Sequence, residues 1–256
     1  MLQERLFMAS HFSSIGFPIQ DQDEYLAIAN QAGPLATPHE VEQGTYWQWS
    51  CESGAELWLQ VDAENEFVGM TPFFSGSSRL RIAITKAISR PEDTPLDGAI
   101  HGWANPPGDS CESGDYPLVV DVVDLHRRQA LTLPCVVTMQ MAAFAHEIEI
   151  FSSQEDYDAS KAGQIKFASK SFIPAGLFTP DGSQTEHPEA IAIFTGHVLA
   201  AEVKQNSLTG HDFYWAHVES LGGPFDVIID PELCDSPPPI GGIISGTFWL
   251  CGRMVE

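Results

Sequence analysis

The sequence predicts an α+β protein in which a β-α-β-β-β module opens the chain and a small antiparallel β-barrel-like unit closes it. Three observations carry that expectation. A helix with a capping signal follows an apolar first segment. Two alternating runs flank a four-residue turn near residue 50. Beyond residue 190 the chain alternates like a series of strands broken by glycines. The expected organisation is a module over 1–90, a connection over 91–117, a divergent second α+β module over 118–185 and the barrel-like unit over 186–256.

The elements follow in order. Residues 10–19 (SHFSSIGFPI) read as a strand that ends near Pro18. Asp21 is a good N-cap, and Glu24 three residues on completes a capping-box pattern. Tyr25, Leu26, Ile28 and Ala29 supply the helix's apolar face, and Gly33-Pro34 stops it. TYWQWS (45–50) and AELWLQV (55–61), joined by Cys51-Glu52-Ser53-Gly54, read as a β-hairpin. Strands are expected over 67–74 and 80–85. Residues 89–117, rich in Pro, Gly and Asp, read as a long loop. Apolar stretches at 118–123 and 135–141 precede a strand at 143–151 (AFAHEIEIF), a short helix opened by Ser153 and Asp156, and a strand over 166–173. HFSSIGFPIQDQDEY and AHEIEIFSSQEDY echo each other as two strand-cap-helix units. The terminal strands are AIAIFTGHVLAAEVKQN, HDFYWAHVES, PFDVIID and IISGTFWLCGRM. Their length and their glycines at bends suit a partly closed antiparallel barrel.

Composition excludes several functions. Hydrophobic residues make up 43%, too many for a disordered chain. Lys and Arg number 12 against 35 Asp and Glu, a net charge of −23. That balance argues against DNA, RNA and anionic membrane surfaces as partners, because a phosphate backbone needs clustered cations. The same field disfavours strongly anionic substrates. No stretch reaches the roughly 18 apolar residues of a membrane span, and MLQERLFMASHF does not read as a signal peptide. Five widely spaced cysteines without CxxC suit reduced thiols, so a cytoplasmic location is expected. Walker, GxGxxG, HExxH, GxSxG and EF-hand patterns are absent.

The hairpin carries the most informative side chains. Pairing Ser50 with Ala55 puts Trp47, Trp49, Glu56, Trp58 and Gln60 on one face and Tyr46, Leu57, Leu59 and Val61 on the other. Both faces are apolar, so both are expected to be covered. The tryptophan face either lines a ligand cavity with a carboxylate inside it or simply packs in the core. His146 alternates with Phe144, Ile148 and Ile150 on an apolar strand face, where histidines are commonly hydrogen-bonded core residues. Glu147 with Glu149, and Asp226 with Asp230, each share a strand face that could hold a cation or be solvated.

With His11 in its first strand and Glu56 on its hairpin, the opening unit resembles one module of the vicinal-oxygen-chelate, or glyoxalase-like, superfamily. That resemblance implies a cupped sheet of two modules. It also implies a metal held by His11, Glu56 and His146, with only Glu202 to offer for a fourth place. The metal would be a divalent transition ion (Zn²⁺, Ni²⁺, Mn²⁺ or Fe²⁺), and Glu56 would double as a catalytic proton shuttle. The resemblance covers residues 8–85 best, 143–205 poorly and the last 50 residues not at all. The spacing T-G-H-V then G-x-x-x-G-x-F-W-L-x-G is similar to an OB-type barrel. The whole chain resembles bacterial proteins without an assigned activity, which implies no chemistry.

Two functions are therefore expected. One is a small-molecule-binding protein, as a metal-dependent lyase, isomerase or dioxygenase. Its ligand would lie against Trp47, Trp49, Trp58 and Gln60. The other is a non-enzymatic module for protein interaction or homo-oligomer formation through the barrel and the aromatic hairpin.

Overall fold

The computed structural model describes residues 9–127, 131–160, 167–179, 182, 183, 185 and 187–255. It is mostly β and has two sheets. Among the described residues, no helix is long and apolar enough to cross a membrane.

The opening segment differs from expectation. Residues 10–19 form no strand; Ala9–Ser13 is a helix, α1. It ends in paired turn bonds, Gly16 N–H to Ser13 C=O (2.9 Å) and Phe17 N–H to Phe12 C=O (2.9 Å), with Gly16 at φ +81°. This is the glycine-dependent helix stop in which the last carbonyls find donors. A Cβ at Gly16 would lie 2.9 Å from the His211 carbonyl oxygen, so only glycine fits both the turn and the contact. The capped helix, α2 (Gln22–Ala32), is present. Asp21 Oδ1 accepts from Glu24 N–H at 2.9 Å, while Glu24 Oε2 reaches back to Gln20 N–H at 2.7 Å. Ala29 and Ala32 are its buried residues, and Leu26 stays exposed.

The smaller sheet is an antiparallel meander of β1 (Thr37–Val41), β2 (Gly44–Ser50), β3 (Ala55–Asp62) and β4 (Phe67–Phe74). The hairpin at residues 51–54 forms, but Ser50 pairs with Glu56, one residue from the expected register. Because side chains alternate with period two, that slip moves a whole strand's set to the other face. Trp47 and Trp49 therefore lie with Leu57 and Leu59, while Glu56, Trp58 and Gln60 lie with Tyr46 and Gln48. Both faces are covered, as their composition requires. Trp49 meets Phe17 edge to face (5.4 Å), and Tyr25 of α2 accepts a bond from Met70 N–H on the same side. The opposite face meets the connection around residues 94–97, where Tyr46 donates to the Leu96 carbonyl (2.6 Å) and Gln60 donates to Asp97 (2.8 Å).

The larger sheet contains β5 (Leu80–Ile88), β6 (Ala99–Ala104), β7 (Pro117–Val122), β8 (Cys135–Phe151), β9 (Ser171–Ile173), β10 (Ile191–Gln205), β11 (Asp212–Ser220), β12 (Gly223–Ile229) and β13 (Ile243–Val255). One helix, α3 (Gln154–Ser160), follows β8. Two expectations change here. The stretch read as loop contains β6, and the two apolar runs at 135–141 and 143–151 are one 17-residue strand. Of the strand expected over 166–173, Lys166 lies outside the described residues and only Ser171–Ile173 pairs.

Strands β8 and β13 form a long antiparallel ribbon that two rings share. One ring runs β8-β12-β11-β10-β13 and the other β8-β5-β6-β7-β13. The terminal strands thus do not close on themselves as expected: they need β8 from the middle of the chain, and β12 joins it in parallel. Phe194 fills the first ring, stacked on Phe248 at 3.9 Å and on Phe225 at 5.0 Å. A continuous apolar core joins residues of both sheets.

Candidate functional site

A bulge creates the most distinctive geometry. Across the ribbon Thr247 pairs with Glu147 and Phe248 with Ala145, so His146 is an extra residue without a cross-strand partner. Bulges bend a strand and re-aim a side chain. They also reset the alternation. Phe144, Glu147 and Glu149 oppose Trp249, Thr247 and Ser245 on one face, while Ile148 opposes Gly246 on the other. His146 therefore does not share an apolar face with Ile148 and Ile150, which corrects the expectation from simple periodicity.

His146 meets His11 of α1. Their Nε2 atoms are 2.5 Å apart, the ring centroids 4.8 Å apart and the planes 14° from parallel. Centroids so much farther apart than the nitrogens mean that the rings meet edge to edge in nearly one plane. His11 also stacks face to face on Trp249 (4.3 Å, 15°). Trp249 is held in turn by its Nε1–H donating to Asp121 Oδ2 at 2.6 Å, and Arg90 pairs with Asp121 Oδ1 at 2.8 Å. His11 is 5% exposed, and its Nδ1 is buried without a hydrogen-bond partner. Burial, helped by the neighbouring His146, pushes its pKa down to about 3, so the ring is neutral. Burial also lowers the pKa of His146, partly opposed by Glu147.

A hollow of about 400 Å³ lies on the outer face of the ribbon, lined by Glu147, Glu149, Tyr157, Phe167, Ile193, Ser245 and Thr247 among others. Glu147 follows His146 in the chain and pairs with Thr247, so the hollow begins next to the bulge, but neither His11 nor His146 is among the residues that line it. The Ser245 and Thr195 hydroxyls are 2.9 Å apart beside it.

Glu56 is placed elsewhere. Arg253 Nη1 donates to both its oxygens at 3.0 Å, and Trp58 Nε1–H donates to Oε2 at 2.9 Å. Its oxygens are thus committed to a buried ion pair, and the expected set of His11, Glu56 and His146 does not assemble as metal ligands. Among the described residues, no three His, Cys, Asp or Glu side chains group as a metal site. Two donors on one zinc ion, each about 2.0–2.1 Å from the metal, would also sit farther apart than the two imidazole nitrogens here. Glu202 pairs with Lys204 on β10. Trp58 is fully buried between the His39 ring (5.8 Å) and the Arg127 guanidinium (5.6 Å), with no face open to a ligand. The sequence reading missed Trp249, Asp121, Ser245 and Thr247. Their signal was the alternation of half-polar Ser245, Thr247 and Trp249 with the small or apolar Gly246, Phe248 and Leu250 along the last strand.

Two other polar groups stand out. Asp226, read from sequence as one of a strand-face pair, is wholly buried and accepts four hydrogen bonds. Cys51 sits half-buried in the hairpin turn, 3.0 Å from the Ser53 hydroxyl. Burial pushes its thiol pKa up, but hydrogen bonds from Ser207 and Ser53 outweigh this and bring it below the ordinary value. Burial raises that of the fully buried Cys251 well above the ordinary value. Since the thiolate is the reactive form, Cys51 is expected to be alkylated by iodoacetamide near neutral pH while Cys251 remains unmodified in the folded protein. Peptide mass spectrometry over time checks this, and labelling of Cys51 no faster than Cys135 or Cys234 would contradict it.

Comparison with protein-family models, with curated proteins and with solved structures finds no match for the chain.

Proposed function

We propose that the chain is a small-molecule-binding protein whose ligand occupies the hollow on the outer face of β8, β13 and β10, beside His146. The single observation that carries this reading is the β-bulge at His146. It gives up a cross-strand pairing immediately beside a concavity lined by carboxylates, hydroxyls and aromatic rings. Ligand sites combine this kind of concave, partly apolar surface with a few convergent polar groups. Placing the ligand here, and not at the tryptophan hairpin, follows from the burial of Trp58 and the commitment of Glu56 to Arg253. Glu147 and Glu149 flank the hollow, and the chain carries −23 charges, so anionic ligands are disfavoured.

A fragment library screened by ligand-observed NMR tests the reading. Thr247→Trp, which fills the hollow from a half-buried strand position, is the control. Fragments are expected to bind the wild type and to lose at least about tenfold in affinity, about 1.4 kcal/mol, on the variant. Absence of any binding fragment, or equal binding to Thr247→Trp, would overturn the proposal.

A further inference from the structure

We draw no further inference here: the strongest candidate, the Cys51 thiol of the hairpin turn in the hollow of about 700 Å³ that it lines with Ser53, Gln205 and Ser207, is a single cysteine, and nothing in the structure shows what would bind beside it.

Discussion

Asp226→Ala is expected to lower folding stability by about 3–5 kcal/mol, measured by urea unfolding at neutral pH. The carboxylate has no solvent exposure. Oδ2 accepts from Ser78 N–H (2.9 Å) and Gln140 Nε2 (3.3 Å), while Oδ1 accepts from Trp215 Nε1–H (3.0 Å) and lies 3.4 Å from His217 Nδ1. These donors come from the segment after β4, from β8 and from β11, so one side chain on β12 ties the crossover between the two sheets to the first ring. Removing it strands several buried donors at once. Asp226→Asn is expected to lose much of the same stability, since whichever oxygen becomes NH₂ faces two donors. Gly76 packs against this carboxylate so closely that a Cβ there would lie 2.1 Å from Oδ2, and Gly76→Ala is expected to destabilise through the same contact.

The effect depends on pH with a definite sign. Burial alone would raise the pKa of Asp226, but hydrogen bonds from His217, Ser78 and Trp215 outweigh it and hold it below the ordinary carboxylate value. A depressed folded-state value gives stability that is present above the unfolded pKa, about 3.9, and lost as pH falls through the folded one. The gap between wild type and Asp226→Asn should therefore narrow in acid below about pH 4. A neutral-pH loss within about 0.5 kcal/mol, the range of an ordinary surface substitution, or a gap that widens in acid, would refute this account.

Glu56→Ala is expected to cost about 3–5 kcal/mol as well, because it leaves a buried guanidinium without its partner. Arg253 binds both carboxylate oxygens with one nitrogen, gives the other to the Ser75 hydroxyl (2.9 Å) and lies over the Phe73 ring (5.1 Å). The side chains are 5% and 20% exposed, so water does little to screen the pair. Breaking such a pair costs far more than replacing it, since desolvation of both ions offsets most of their attraction. Glu56→Met combined with Arg253→Met should therefore recover most of the loss seen in either single variant. A double variant as unstable as the sum of the two would show that the residues act independently.

Much of the local structure was legible because it depends on neighbours in the chain. Asp21 and Glu24 marked the start of α2, and Ser153 with Asp156 the start of α3, where the Ser153 hydroxyl accepts from Asp156 N–H at 3.1 Å. The hairpin turn and the terminal strands were readable from alternation. The echo between the two strand-cap-helix segments was half misleading: the second is a strand and a helix, whereas the first begins as α1. There, the phenylalanine and isoleucine at positions 12 and 15 followed by Gly16 fit a helix end as well as a strand, and the turn bonds decided. The face of Trp47 and Trp49 failed for a different reason. A turn of four residues admits neighbouring registers, and packing of both faces against distant residues selected the one seen.

An acidic, folded chain rich in strands, two capped helices and a hairpin follow from the order of residues alone. That β8 and β13 form a ribbon shared by two rings, that His146 bulges toward His11, and that Glu56 pairs with Arg253 emerges only once the chain has folded. The difference lies in the range of the interactions. Caps, turns and alternation are settled within a few residues, whereas strand partners, a bulge's direction and the pairing of buried charges are chosen by residues 135 and 197 positions apart in the chain.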